Sequence, residues 1–130
     1  MKMKTFNRTC IIDDDSIYVF GAKKLMEFTK FCEDVTVFKN GQEALTHFQN
    51  EMDDLPCLIL LDINMPIMDG WQFLDEFSKL DVSKKIPVFM ISSSIDPVDQ
   101  DKAKTYPIVK DYLDKPLKID QMEKILAHFK

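Results

Sequence analysis

The chain has few of the residues that mark special classes of protein. It carries three glycines and six prolines in 130 residues, which excludes collagen-like and low-complexity chains. Its three cysteines, Cys10, Cys32 and Cys57, form no CxxC pair, and the only histidines are His47 and His128. A zinc site or disulfide framework is therefore not expected, which leaves buried, reduced thiols acting as small hydrophobes. Positive charge is not in excess. Seventeen Lys and Arg face 22 Asp and Glu, for a net charge of −5, unlike the electrostatic footprint of a DNA or RNA binder. The longest apolar runs, such as residues 57–61, are strand-length and far short of the ~20 residues of a membrane span. The basic start MKMKTFNR is followed by no apolar stretch of signal-peptide length, so a cytoplasmic location is expected.

What is present is enough for one domain. The chain is 45% hydrophobic and 30% charged, and a domain of this size buries roughly two-thirds of its unfolded surface. Apolar runs alternate with amphipathic stretches. Residues 9–12 read as a buried strand that ends at Asp13. Residues 16–31 have helical length, but their first half is apolar nearly all round, so the pattern names no single buried face. Residues 35–38 read as a second strand, Asn40-Gly41 as a turn, and Ala44, Leu45 and Phe48 as a short helical stripe. Residues 57–61 form a continuous apolar strand that ends at Asp62, as in a sheet covered on both faces. Asp69 is placed to cap a helix burying Phe73, Leu74, Phe77 and Leu80. Residues 87–91 make the fourth strand, ending in Ser92, Ser93 and Ser94. Asp96-Pro97 opens a short helix. Tyr112 and Leu113 lie in a fifth strand ending at Lys115-Pro116, and the last helix places Ile119, Met122, Leu126 and Phe129 on one face. Strands alternating with helices predict an α/β fold with a parallel sheet, covered on both faces and joined by right-handed crossovers. Sites in such folds lie at the carboxyl ends of the strands.

Chemistry-bearing residues sit at those ends. The first strand ends in Asp13, Asp14 and Asp15, the third in Asp62, the fourth in the serine run and the fifth in Lys115. Two unit charges ~4 Å apart repel by roughly 4 kcal/mol at an effective dielectric of ~20, so gathered carboxylates need an offset. A hard divalent cation with oxygen ligands, Mg²⁺ or Mn²⁺, supplies it, and Lys115 adds a fixed positive charge. Such a site accepts a dianionic phosphoryl group, with a serine hydroxyl and a backbone N–H assisting. Asp62, a lone strand-end carboxylate, is the natural nucleophile. Each residue also has an ordinary use. Asp15 reads as a helix cap, and Ser94 suits the same role. The common position of acid, acid, hydroxyl and amine favours a site over four separate turn residues.

In this arrangement the sequence resembles the receiver domain of two-component response regulators. The matching residues are IIDDD at 11–15, LILLDINMPIMDGW at 58–71, PVFMISSS at 87–94 and YLDKP at 112–116, covering roughly residues 8–129. The resemblance implies a doubly wound, flavodoxin-like five-stranded sheet of order 2-1-3-4-5. It implies Asp62 as phosphoacceptor, and Asp13, Asp14, Asp62 and the Asn64 backbone carbonyl as the Mg²⁺ site. Lys115, Ser92 and the Ser93 amide would bind the phosphoryl group. Ser92 and Tyr112 would be the switch pair, with Asn64 and Ser94 tuning hydrolysis and Lys115-Pro116 a cis peptide. Expected partners are a histidine kinase or histidine phosphotransfer protein and a downstream protein target, with no nucleic acid and no membrane. Residues 1–130 are expected to form a single receiver domain without an output domain, a signalling protein rather than an enzyme. One departure is Ile108 and Val109, where the family usually has a Gly-Ala pair before the fifth strand. Trp71 reads as a packing residue, and Tyr106 and Pro107 as loop residues. Both histidines read as surface residues.

Other readings fit less well. A dehalogenase-type phosphatase needs an acid two residues beyond its nucleophile, where this chain has Asn64. A flavodoxin needs a phosphate-binding loop where residues 13–15 are acidic. An EF-hand loop fails at Pro66. A degenerate receiver that binds partners without phosphorylation has the complete residue set against it.

Overall fold

The computed structural model describes residues 6–50, 53–93 and 96–129; Ser94, with its expected capping and tuning roles, lies outside them. Strands and helices alternate: β1 (Phe6–Ile12), α1 (Ser16–Thr29), β2 (Cys32–Phe38), α2 (Gly41–Asn50), β3 (Leu58–Leu61), α3 (Gly70–Phe77), a 3-10 turn (Asp81–Lys85), β4 (Val88–Ser92), α4 (Pro97–Ala103), β5 (Val109–Asp114) and α5 (Ile119–Ala127). All pairings are parallel, and the order is β2-β1-β3-β4-β5. The expected fold class is the one observed.

The period of two along each strand divides the core. Cys10, Ile12, Ile59, Leu61, Val88 and Met90 face one layer, which holds Ala44, Leu45, Phe48, Phe73, Leu74, Phe77 and Ala103 from α2, α3 and α4. Ile11, Leu58, Leu60, Phe89 and Ile91 face the other, which holds Tyr18, Ala22 and Met26 of α1 and Met122 and Ile125 of α5. Right-handed crossovers produce this division when the chain steps one way from β1 and the other way from β3. The reversal leaves a crevice at the carboxyl ends of β1 and β3.

Element ends follow local chemistry. The Asp15 carboxylate caps α1 by accepting from the N–H groups of Ile17 and Tyr18, both at 3.1 Å. The helix stops at Lys30, a left-handed cap with φ 57°, two residues before the end its length suggested. Asp69 and Gln72 form a reciprocal capping box on α3, and Asp96 caps α4. β1 and β2 start earlier than their apolar runs. Arg8 and Asp34 extend the pairing with an ion pair at 3.0 Å, which hydrophobic patterning does not register. β5 also begins earlier than its apolar centre, at Val109. Ile108 and Val109 pack onto the core, and the β4–β5 register slips between Val88 and Phe89, at the departure from the family pattern.

Three expectations are corrected. On α5, Met122 and Ile125 are buried and Leu126 and Phe129 pack against the same layer, while Ile119, at the first turn, is exposed. His47 is half-buried, lying between the rings of Phe38 and Phe48. Only Cys10 is fully buried; Cys32 and Cys57 are partly exposed near strand starts. Trp71 does pack on the core, stacked 6.0 Å from Tyr106.

Phe77 is fully buried with its ring 5.2 Å from Phe48 and 5.0 Å from Phe73. Phe77→Ala is expected to cost about 3–5 kcal/mol in urea unfolding. Phe20→Ala, at a ring 65% exposed, is expected to stay within about 0.5 kcal/mol.

Candidate functional site

Backbone pairing builds the site. Ile12 is registered against Leu61, so the next residues, Asp13 and Asp62, emerge side by side. The Asp13 N–H donates to the Phe38 carbonyl at 2.9 Å, and the Asp62 N–H to the Ile12 carbonyl at 3.0 Å. On the other side Ser92 is registered against Asp114, and the Lys115 N–H donates to the Ser92 carbonyl at 3.0 Å. Lys115-Pro116 is cis, as the resemblance implied.

The side chains converge. Lys115 Nζ donates to Asp13 Oδ2 at 2.8 Å and stands 3.6 Å from Asp62 Oδ2. Asp13 Oδ1 accepts the Asp15 N–H at 2.9 Å. Asp13 and Asp62 are buried, and Asp14 is exposed beside them. One oxygen from each of the three carboxylates lies within 4.8 Å of the others. Three carboxylates facing one ammonium leave a surplus of two negative charges. The donor set is all oxygen and preorganised, so these residues fit a hard divalent cation such as Mg²⁺.

The electrostatics register that surplus. Burial, then the Asp13 charge, push the Asp62 carboxyl up to about 6, against the pull of Lys115 and the Ile63 N–H. Burial also raises Asp13, outweighing its hydrogen bonds from Lys115 and Asp15. Burial draws the Lys115 ammonium down, but the Asp13 hydrogen bond and the charges of Asp13 and Asp62 override it and leave it above the ordinary lysine range.

The remaining expected residues surround this centre. Ser92 is buried at the end of β4. Ser93 is exposed and lines a groove with Tyr18, Lys115 and Pro116. Asn64 is exposed, two residues beyond Asp62. Tyr112 is half-buried in β5, on the core face and beside a hollow of ≈ 240 Å³ between α4 and β5.

Two features escaped motif reading. A Cβ on Gly70 would collide with the Asp62 backbone oxygen, and the Gly70 N–H donates to the Ile63 carbonyl at 2.8 Å. Gly70 thus fixes the loop behind Asp62 by close approach. The other is Tyr18, whose ring lies under Lys115 with the ammonium 4.5 Å from its centroid. The undecided apolar pattern of α1 hid it.

With this geometry in hand, the comparisons with known proteins are specific. Residues 9–127 match the model of the response regulator receiver domain. The chain belongs to that family. It is 30% identical over 121 residues to a two-component response regulator of Arabidopsis thaliana, covering 93% of this chain and 19% of that protein. It is 33% identical over 121 residues to an uncharacterized response regulatory protein of Staphylococcus epidermidis, covering 92% of this chain and 45% of that one. The receiver therefore spans less than half the length of either relative. A crystal structure of a two-component response regulator from Cytophaga hutchinsonii superposes with a TM-score of 0.88 at 29% identity, covering 96% of this chain and 97% of that one.

The raised carboxylates set a pH dependence. Folded Asp62 binds its proton more tightly than the unfolded residue, so the metal-free fold is favoured at low pH. That advantage is lost as pH rises from about 4 through about 6. Asp62→Asn is therefore expected to raise the melting temperature of the metal-free receiver at pH 7.5, by an amount worth about 1–3 kcal/mol, with a smaller gain at pH 5. Melts of both proteins in chelator at the two pH values measure it.

Ile67 gives a second expectation. It is a β-branched residue at φ 69° and is 81% exposed, in the loop after Asp62. Ile67→Gly is expected to stabilise the receiver by about 1 kcal/mol in urea unfolding.

Proposed function

We propose that this receiver is a phosphorylatable signalling switch, with Asp62 taking a phosphoryl group from a histidine kinase or histidine phosphotransfer protein. The observation that carries this reading is the triad of Asp13, Asp14 and Asp62 oxygens within 4.8 Å of one another, with the Lys115 ammonium 3.6 Å from Asp62.

Each residue has a role that its chemistry supports. An Asp62 oxygen attacks phosphorus, the donor's P–N bond breaks, and the leaving imidazole takes a proton from water. Asp13, Asp14, Asp62 and the Asn64 carbonyl are the residues that would hold Mg²⁺ or Mn²⁺, which when bound offsets negative charge on the phosphoryl oxygens. Lys115 neutralises a further oxygen, and the Ser92 hydroxyl and Ser93 N–H donate to the rest. The product is an aspartyl phosphate. Water attack at phosphorus breaks the Asp62 O–P bond and returns the carboxylate. Ser92 and Tyr112 lie on neighbouring strands β4 and β5, so a hydroxyl drawn toward the phosphoryl group vacates space on the Tyr112 side.

The output on this reading is a change in protein–protein contacts, as a cytoplasmic regulator without activity on other substrates. A net charge of −5 disfavours direct contact with nucleic acid. Among the described residues no helix is long and apolar enough to cross a membrane.

Labelling with phosphoramidate or acetyl phosphate in the presence of Mg²⁺ tests the assignment. The wild-type chain is expected to gain one phosphoryl group labile to base and to hydroxylamine, and Asp62→Asn to gain none. Chelation is expected to abolish labelling, and Asp14→Asn to raise the Mg²⁺ concentration required. Undiminished labelling of Asp62→Asn overturns the proposal.

A further inference from the structure

Tyr18 is the aromatic ring of α1 that meets Lys115 in the phosphoacceptor site. It lies three residues beyond the Asp15 cap, with its N–H held by the Asp15 carboxylate at 3.1 Å. It is 8% exposed. Its ring face carries the Lys115 ammonium 4.5 Å from the centroid, while the same ammonium reaches Asp13 at 2.8 Å and Asp62 at 3.6 Å. The phenol itself does little here. Among the described residues its oxygen is buried without a hydrogen-bond partner. A buried hydroxyl in that state is unfavourable, so the hydroxyl does not account for an aromatic residue at this position. The ring face does.

We propose that Tyr18 is a positioning residue for phosphoryl transfer, its ring being the seat that holds the Lys115 ammonium over Asp62. The inference rests on the reading of Asp62 as phosphoacceptor. An ammonium has three N–H donors, and Asp13 already engages one. A carboxylate or carbonyl in place of the ring would engage another and add negative charge beside an incoming dianion. A ring face attracts the ammonium through its quadrupole and consumes no strong donor. Lys115 is held in place, and donors remain for phosphoryl oxygens. The buried ring also keeps water from one side of the ammonium, which strengthens its field at Asp62. An aliphatic side chain of similar bulk would fill the space and lack the attraction.

Wild type, Tyr18→Phe and Tyr18→Leu are compared as the full chain, with Tyr18→Met as a second aliphatic variant if Leu does not fold. Three quantities are read: the rate of labelling by phosphoramidate with Mg²⁺, the Mg²⁺ dissociation constant by calorimetry, and the chemical shifts of the Lys115 ε-methylene protons. Phe keeps the ring face and is expected to label within about twofold of wild type, with the methylene protons still shifted upfield by the ring. The aliphatic variant is expected to label about three- to tenfold more slowly, with the ring shift lost and Mg²⁺ affinity within about twofold of wild type. An aliphatic variant labelling at the wild-type rate overturns the proposal, as does Phe slowing as much as the aliphatic variant. Unshifted Lys115 protons in the wild type overturn it as well. If the wild-type chain itself takes no label, the Asp62 reading fails, and the methylene shifts still decide whether Tyr18 seats Lys115.

Discussion

Two carboxylates are forced together by a backbone that leaves them little choice. The β1–β3 register fixes Ile12 opposite Leu61, and the next residue on each strand is an aspartate. Both are buried, so water screens their repulsion poorly. The Lys115 ammonium offsets part of it from β5, two strands away from β3 in the sheet order. What remains is a raised Asp62 carboxyl, near 6, and an exposed Asp14 that adds a third charge. A fold does not gather charge this way for stability, since a well-packed apolar core would serve that purpose better. The arrangement makes sense as stored demand for positive charge, and it locates that demand at the sheet's topological switch point.

The surrounding structure reinforces the acidic side. Behind Asp62, Gly70 approaches the backbone too closely to admit a Cβ, and Gly41 is similarly tight against Met68. The Gly41 N–H donates to the Met68 carbonyl at 3.0 Å, and Gly70 to Ile63 at 2.8 Å. The loop from 63 to 69 is thus tied at both ends, one tie running to the helix after β2. This explains how a β-branched Ile67 is held at positive φ: the ties on either side determine its backbone, and its own preference is overruled.

Much of this was legible in the sequence, for identifiable reasons. Strands buried on both faces write themselves as unbroken apolar runs, so residues 57–61 and 87–91 stood out, within a residue of the observed β3 and β4. Helix caps at Asp15 and Asp69 were readable because capping depends on one local side chain. The site residues were readable because strand ends in a parallel sheet converge. What escaped were features that depend on tertiary geometry. The start of β2 is polar and held by Arg8 and Asp34 across strands. The buried face of α5 depends on how the helix lies on the sheet, and half-buried His47 packs against two phenylalanines. Tyr18 was lost in an apolar stretch whose periodicity favours no face. Its neighbours Ile17 and Phe20 are 84% and 65% exposed, so hydrophobicity alone could not tell the residue that turns inward.

The two sides of the site differ in how their backbone is held. The Asp62 loop is pinned by close glycine contacts, and Asp13 is held by both Lys115 and the Asp15 N–H. A half-buried Tyr112 instead borders a hollow of ≈ 240 Å³ lined by Gln100, Ala103, Lys104 and Val109. Packed elements do not deform continuously, so a local pull is relieved where space exists. A phosphoryl group on Asp62 would meet an acidic side that is already fixed. A displacement at Ser92 has the hollow between α4 and β5 beside it to move into. In the proposed switch the chemistry is anchored on β1 and β3 by these close contacts, and the hollow beside Tyr112 gives α4 and β5 room to respond.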